Sequence, residues 1–397
     1  MYIFFTNLKY SKEHILRYLY FISMAIVALV LSACTDPPQK EDALPFEAMA
    51  ARIAERLFVA PGERVLVGYD PEHLPELAAA TQQALSAVGA HVEMHIYGAD
   101  DRFTERLNEA DIYIWLPFGP KSPSAPRIAE FAEASAWVMQ DEHRQLHFHW
   151  DDGSRAPDGM VGTHSPELDA IYVDGLNIDY DALDRDMRRA AEAMRGGEIR
   201  VTTTAGTDIR FSLGDRPITV QSGNASRAAL REAVVPIQRE IELPAGALRV
   251  APLEESATGV IVIEEARLSA APWDNTADGA EPAARQLKLT FDAGKLVDIS
   301  AAEGEAVFRK FVANNPALAH FREFALGFNP RLTPPEDGAV LPYYGYGAGV
   351  VRLSIGNNRE LGGAVEGEGF RWFLFGDATV TLPDGSALVK DGALQEF

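Results

Sequence analysis

The sequence predicts an α/β fold, with an N-terminal doubly wound parallel sheet and a C-terminal, mainly antiparallel α+β domain. Between residues 45 and 197, short apolar strands alternate with helical segments, a rhythm typical of right-handed βαβ crossovers. From 198 to 397, short strands follow one another at tight turns. The chain of 397 residues is also longer than a single hydrophobic core usually supports, which favours two domains.

Hydrophobic periodicity defines the N-terminal elements. In the first predicted helix, residues 47–59, Met49, Ile53 and Leu57 lie on one face. An alanine-rich helix over residues 74–88 ends at Gly89, a typical helix stop. The other predicted elements are strands at 64–69, 92–97, 111–116 and 145–150, and helices at 103–110, 127–142 and 180–195.

The C-terminal half is predicted to consist mostly of strands. Turn sequences such as Asp292-Ala293-Gly294 and Asp384-Gly385 separate its apolar segments. One long helix, over residues 302–325, is expected to interrupt them. The predicted strands are 198–204, 208–213, 218–221, 259–266, 287–291 and 295–299, with further strands between 370 and 388.

The composition is that of a folded, acidic protein. Hydrophobic residues make up 47% of the chain, enough for a globular core, and the formal net charge at pH 7 is −22. A surface of that charge repels nucleic acid and anionic lipid headgroups. We therefore expect no nucleic-acid partner.

The N-terminal residues 1–33 are predicted to be a secretory signal peptide. Three basic side chains precede an uncharged segment, residues 18–33, that ends in small residues. Cys34, the only cysteine of the chain, follows in the sequence Leu31-Ser32-Ala33-Cys34. This tetrapeptide resembles the bacterial lipobox, whose cysteine is diacylated and becomes the first residue of the mature protein. The alternative is an ordinary cleaved signal or a simple membrane anchor.

A lipidated Cys34 implies a protein of the bacterial cell envelope that contacts the membrane through its lipid anchor. Thr35 stands where an aspartate usually retains lipoproteins at the inner membrane, so we expect the outer membrane, facing the periplasm. Residues 34–44 would be a polar tether. Loss of residues 1–33 removes three basic side chains and one acidic one, which changes the net charge from −22 to −24. No thiol would remain for a disulfide or a nucleophile.

Several segments of the C-terminal half carry motifs in a fixed order. They are 200–208 (RVTTTAGTD), 243–252 (LPAGALRVAP), 294–297 (GKLV), 303–304 (EG), 323–330 (EFALGFNP), 349–356 (GVVRLSIG) and 370–373 (FRWF). In order and spacing these segments resemble the motifs of the thermophilic metallo-aminopeptidases, the leucyl-aminopeptidase group that includes aminopeptidases T and S. The resemblance extends over roughly residues 45–392.

The resemblance implies a homodimer and two divalent cations, such as zinc, cobalt or manganese, held by carboxylates and imidazoles. Carried over residue by residue, the ligand positions retain only Glu323, because alanine, glycine, arginine and phenylalanine stand at the others. The six positions are Ala247, Glu323, Gly345, Arg352, Arg371 and Phe373.

Arginine cannot replace a histidine ligand, since a guanidinium stays protonated and has no lone pair to give. We therefore expect no bound metal and no metal-dependent hydrolysis. Iron-dependent cleavage of dihydroxypyridine rings, a sister activity on this fold, needs the same histidines and is excluded by the same substitutions. Arg352 and Arg371 are instead expected to converge on Glu323 and to bind a peptide carboxylate or another small anion.

A second candidate metal cluster lies at the end of a predicted strand. His147 and His149 alternate along the strand, so they share a face, and Asp151 continues it. Zinc accepts imidazole and carboxylate ligands, and open α/β sheets place ligands at the carboxyl ends of their strands. The alternative is that these are solvated side chains at a strand terminus.

Together, the motifs and their substitutions predict a lipid-anchored, non-catalytic binding or scaffolding protein that has lost its dinuclear metal site. The alternative is an active metal-dependent leucyl aminopeptidase that removes N-terminal residues from peptides. The two differ in whether the purified protein contains stoichiometric metal.

Overall fold

The structure, a computed structural model, describes residues 45–99, 102–117, 124–140, 143–150, 166–266, 284–334 and 345–396. The predicted signal peptide, Cys34 and the tether lie outside the described residues, and so does Asp151. Residues 45–397 form one compact unit. Within the ranges above, no helix has both the length and the apolar character needed to cross a bilayer.

The helices of the described residues fall mainly in the N-terminal half. They are α1 (Phe46–Leu57), α2 (Pro75–Ala87), α3 (Phe103–Glu109), α4 (Ser124–Trp137), α5 (Pro166–Leu176), α6 (Tyr180–Ala193), α7 (Arg227–Arg231) and α8 (Glu305–Asn314). Short 3₁₀ helices cover Pro236–Arg239, Pro316–Ala319 and Arg359–Leu361.

A five-stranded parallel sheet confirms the doubly wound architecture expected for the N-terminal half. Its order is β2-β1-β3-β4-β8. The strands are β1 (Arg64–Tyr69), β2 (His91–Ile96), β3 (Ile112–Trp115), β4 (Arg144–Phe148) and β8 (Glu240–Leu243). The apolar face of α1 is buried as its periodicity predicts, with Met49, Ile53 and Leu57 in the core.

Two antiparallel sheets make up the C-terminal half, as the tight turns predict. The eight-stranded sheet has the order β12 (Lys295–Ser300), β11 (Ala284–Asp292), β10 (Thr258–Ala266), β6 (Asp208–Ser212), β5 (Glu198–Thr202), β16 (Thr379–Thr381), β17 (Ala387–Lys390), β18 (Ala393–Leu394). The five-stranded sheet has the order β15 (Phe370–Phe375), β14 (Val351–Gly356), β13 (Phe321–Gly327), β9 (Ala247–Val250), β7 (Thr219–Gln221).

The long helix expected over residues 302–325 is wrong in its second half. Helix α8 ends at Asn314, and Pro316 follows at once, where its ring and missing N–H stop a helix from continuing. Residues 321–327 form strand β13, all of whose residues are buried. Glu323 therefore lies in the middle strand of a sheet.

The boundary predicted at residue 197 stays a prediction, but strand β8 crosses it. Residues Glu240–Leu243 come from the C-terminal half and pair in parallel with β4 of the N-terminal half. The carboxyl end of the parallel sheet and the five-stranded antiparallel sheet are consequently joined by the short connection from β8 to β9.

Candidate functional site

One face of the five-stranded antiparallel sheet carries charged side chains. Strand pairing puts Glu323 of β13 opposite Ser354 of β14, and puts Ala325 opposite both Arg352 of β14 and Arg249 of β9. Directly opposed residues of antiparallel strands share a face. Glu323 and Ala325 are two residues apart in β13, so they share a face of the sheet. The carboxylate of Glu323 and the guanidinium groups of Arg352 and Arg249 therefore lie on the same side.

A register shift in β13 adds a third arginine. The pairing with β14 slips between Phe321 and Glu323, which leaves Arg322 as an extra residue at a bulge. Its guanidinium Nη1 donates to Glu323 Oε2, and its Cζ lies 4.1 Å from the centre of the Phe370 ring. Bulges commonly re-aim a side chain in this way.

Glu323 is the centre of these charges. Its Oε1 accepts from Arg249 Nε at 2.6 Å and from Arg352 Nη2 at 3.0 Å, while Arg322 serves the other oxygen. The glutamate and all three arginine side chains are at most 3% exposed. The guanidinium of Arg352 also lies 4.1 Å from the ring of Trp372, a cation–π distance.

A second carboxylate completes the set. Glu360, from the 3₁₀ turn Arg359–Leu361, accepts through Oε1 from Arg249 Nη2 at 3.1 Å and from Arg322 Nη2. We call the five residues Arg249, Arg322, Glu323, Arg352 and Glu360 the arginine cluster. It links strands β9, β13 and β14 to the 3₁₀ turn.

The arginine cluster keeps its central carboxylate ionised. Burial alone would raise the pKa of Glu323, but the charges of Arg249, Arg352 and Arg322 outweigh burial and hold that pKa well below its usual range. Burial likewise opposes the charge on Arg249, and the nearby carboxylate of Glu323 raises the Arg249 pKa well above its usual value. Glu323 and Arg249 are thus both charged across the physiological pH range.

The six metal-ligand positions implied by the resemblance do not all lie on one face of the sheet. Ala247 pairs with Gly327 and lies on the same face of β9 as Arg249, so Ala247, Glu323 and Arg352 share one side of the sheet. Gly345 has a φ of 77°, and a Cβ there would lie 3.0 Å from the side chains of Leu374 and Val350.

Arg371 and Phe373 face the other way. In β15 they pair with Ile355 and Leu353, whereas Arg352 pairs with Leu374, so their register puts them on the opposite face. Arg371 is buried there and makes no ion pair with Glu323. Arg249 and Arg322, rather than Arg371, complete the cluster around the glutamate.

The two predicted histidine ligands, His147 and His149, lie at the parallel sheet beside two carboxylates. We call His147, His149, Glu240 and Glu242 the histidine wall. His147 Nδ1 lies 2.8 Å from Glu240 Oε1, and His149 Nε2 lies 3.8 Å from Glu242 Oε1. The ring of Trp115 packs edge-on against both imidazoles. Burial opposes ionisation of Glu240, yet the neighbouring His147 holds its pKa below the usual value.

No group of three or more His, Cys, Asp or Glu side chains is arranged to hold a metal ion within the described ranges. His147 and His149 are buried against Glu240 and Glu242 rather than solvated, while Asp151 lies outside the described residues. The solvated alternative for these two histidines is therefore wrong. In place of water, each imidazole has a carboxylate neighbour from strand β8.

Tyr346 connects the histidine wall to the arginine cluster. Its hydroxyl donates to Glu242, and its ring lies 5.8 Å from the Arg352 guanidinium. Burial and the charge of Glu242 raise the pKa of Tyr346 well above its usual value, so the phenol keeps its proton. The polar side chains of the two sheets therefore form one continuous network.

The residues of the arginine cluster do not fit a dinuclear metal centre. Three guanidinium groups surround the one retained carboxylate and would repel a cation, and Ala247 offers no donor atom. Both oxygens of Glu323 already accept hydrogen bonds from arginine.

Sequence reasoning missed three members of the cluster. Arg249 stands two residues after Ala247, so alternation along a strand could have placed it beside the old ligand position. Arg322 depends on a bulge, and Glu360 on a distant turn. Neither feature has a local sequence signal.

No protein-family model matches the sequence, and no curated protein matches it. Solved structures do match. The 2,5-dihydroxypyridine dioxygenase of Pseudomonas putida KT2440 aligns with a TM-score of 0.60 at 16% identity, covering 89% of this chain and 97% of its own. AmpT from Thermus thermophilus aligns with a TM-score of 0.58 at 14% identity, covering 89% and 100%.

The fold is aminopeptidase-like. The alignment spans nearly the full length of both solved proteins, which agrees with a resemblance that runs through both halves of the chain. At identities of 14–16% the likeness shows the fold alone. Function has to be argued from the site.

Proposed function

We propose that this chain is a non-catalytic binding protein of aminopeptidase-like fold. The observation that carries the proposal is the carboxylate of Glu323, which lies among the guanidinium groups of Arg249, Arg322 and Arg352. Glu323 is the one ligand position that the motifs retain. Around it, fixed positive charge takes the place that the resemblance gives to two metal ions.

Guanidinium groups in the place of two metal ions keep positive charge at the site but supply no metal-based catalysis. A metal ion lowers the pKa of its bound water and polarises the peptide carbonyl, which is how a metallopeptidase makes its nucleophile. A guanidinium binds oxygen anions through directed N–H groups but activates no water. The arginine cluster is therefore suited to hold a carboxylate-bearing ligand and unsuited to hydrolyse a peptide bond.

Metal analysis tests the proposal directly. Protein purified without chelator should contain less than about 0.1 equivalents of zinc, cobalt or manganese, and its melting temperature should not change with 1,10-phenanthroline, a chelator without carboxylates. Leucyl substrates with added cobalt, zinc or manganese should show no turnover above buffer, with a leucyl aminopeptidase as positive control. Stoichiometric metal and chelator-sensitive turnover would instead support the alternative, an active leucyl aminopeptidase.

The lipid anchor is a separate part of the proposal. The sole cysteine, Cys34, follows a basic start and an apolar segment, and this supports lipidation at the cell envelope, on the periplasmic side of the outer membrane. Cys34→Ala should accumulate as an unprocessed precursor without labelled palmitate. Thr35→Ala, which keeps the acceptor thiol, is the matched control and should label normally. Normal palmitate labelling of Cys34→Ala would refute lipidation at Cys34.

The homodimer implied by the resemblance also stays a proposal. Sedimentation equilibrium of the chain without its first 44 residues would measure the mass. A single species near twice the monomer mass supports the dimer, and a monomer at micromolar concentration counts against it.

A further inference from the structure

The two carboxylates of the arginine cluster differ in their access to solvent. Glu323 is fully buried, whereas the side chain of Glu360 is 37% exposed. Arg249 and Arg322, which both carboxylates contact, are buried almost completely. Glu360 is therefore the member of the cluster that a molecule from solvent can reach.

Arg249 and Arg322 both donate to the same carboxylate oxygen of Glu360. Its Oε1 accepts from the Nη2 groups of both Arg249 and Arg322, so two guanidinium groups converge on a single oxygen. A carboxylate binds arginine best when each oxygen receives its own N–H group. A ligand carboxylate placed between the two arginines could give one oxygen to each.

The backbone that presents Glu360 is held independently of its side chain. Arg322 Nε donates to Asn357 O at 2.6 Å, and the Arg359 N–H donates to Asn357 Oδ1 at 2.9 Å. Glu360 can therefore rotate away without moving the turn.

We infer that Glu360 is an internal carboxylate ligand, and that a small carboxylate or the C-terminal carboxylate of a peptide displaces it from Arg249 and Arg322. The inference rests on the proposed function and names its ligand class. With no ligand present, Glu360 keeps two buried guanidinium groups paired, which avoids the cost of an unpaired buried charge. With ligand bound, the incoming carboxylate takes over that pairing.

Removing the internal competitor should expose the site. Glu360→Ala should bind acetate, and the dipeptide Leu-Gly, at least about tenfold more tightly than wild type, by isothermal titration at constant ionic strength in the presence of 1,10-phenanthroline, a chelator without carboxylates. Leu-Gly amide, which lacks the carboxylate, should not bind. Glu360→Gln keeps the size of the side chain, loses its charge and should also bind more tightly.

Glu366→Ala is the matched control. Glu366 lies on the same loop but is 76% exposed, and its carboxylate lies 3.7 Å from Arg359. Its affinity for acetate should equal that of wild type. The melting temperature of Glu360→Ala should be lower than that of wild type and should be restored by acetate but not by chloride.

Equal acetate affinities for wild type, Glu360→Ala and Glu360→Gln would overturn the inference, and so would a melting temperature that acetate and chloride raise alike. Should Glu360→Ala fail to fold, the affinity of Glu360→Gln decides. Because the titrations contain 1,10-phenanthroline, they are independent of the metal analysis. Metal-dependent turnover by the wild type would defeat the proposed function whatever the acetate result, whereas equal affinities would defeat only the displacement of Glu360.

Discussion

At the scale of single residues, Glu323 is the side chain on which the arginine cluster depends. Its two oxygens accept from three arginines, and both the acceptor and the donors are buried. A buried ion pair contributes little net stability when intact, because desolvation offsets attraction. Removal of one partner is costly, since it strands the opposite charge in a place that water does not reach.

Glu323→Gln should lower the free energy of unfolding by about 3–5 kcal/mol, because three guanidinium groups lose their shared counter-ion. Equilibrium unfolding in urea measures the change. Glu366→Gln is the control, since the same substitution at an exposed position should change stability by less than about 0.5 kcal/mol. Equal effects for the two variants would mean that the cluster is not energetically coupled.

Lowering the pH should reveal how much the Glu323 carboxylate contributes to stability. The pKa of Glu323 in the folded protein lies well below the value of 4.5 for a free glutamate. A depressed folded pKa gives stability that is complete above the unfolded pKa and is lost as the pH falls through the folded pKa. Wild type should therefore lose melting temperature more steeply than Glu323→Gln between about pH 4.5 and pH 2.5. Parallel melting curves would contradict this.

At the scale of elements, buried arginines also tie helices to sheets. Arg144 at the start of β4 is fully buried, donates to the carbonyl of Leu57 at the end of α1, and pairs with Glu63. Burial opposes the charge of Glu63, but hydrogen bonds from Ala60 and Arg227 and the charge of Arg144 hold its pKa below the usual value. One guanidinium thus satisfies a helix terminus and a buried carboxylate.

Arg144→Met should destabilise the protein by about 3 kcal/mol or more, because it leaves Glu63 buried beside fewer donors. Thermal and urea unfolding are the measurements. Arg64→Met is the matched control: Arg64 pairs with Glu109 at the surface, where both side chains are half-exposed, and surface pairs contribute little. A smaller loss for Arg144→Met than for Arg64→Met would show that the buried pair is dispensable.

Elements with local signals were predicted from the sequence, and elements with distant partners were not. Strands β1 to β4 fall on the four predicted strands because each is a short apolar run between turn residues. Strand β8 was missed because Glu240 and Glu242 make it look like a surface segment. Their partners are His147 on β4 and His149 directly after it, far away in sequence.

The same reasoning explains the error around Glu323. The pattern of charged and apolar residues through 302–325 suits a helix, and helix α8 does occupy its first half. Only burial on both faces of a sheet accounts for β13, and burial of Arg322 and Glu323 there requires Arg249 and Glu360 from other segments. A site built from such partners cannot be read from one stretch of sequence.

At the scale of the whole molecule, the two halves share a sheet and buried hydrogen bonds. Strand β8 extends the parallel sheet beside β4, and the His149 N–H donates to Leu243 O at 2.9 Å. Asn329, in the loop after β13, is fully buried and donates through Nδ2 to Gly175 O at 2.9 Å and to Ala245 O at 2.7 Å. This strand pairing and these hydrogen bonds cross the boundary predicted at residue 197.

Residues 45–197 alone should therefore not fold stably, because β4, which is buried in the full chain, would lose its neighbour β8 and present an unpaired edge. Residues 45–396 should unfold in one cooperative transition, as expected for one compact unit. Circular dichroism and hydrogen exchange of the two fragments provide the test, with residues 45–250, which retain β8, as the matched control. A cooperatively folded 45–197 fragment, with β4 amides as protected as in the full chain, would show that the N-terminal half is an independent domain.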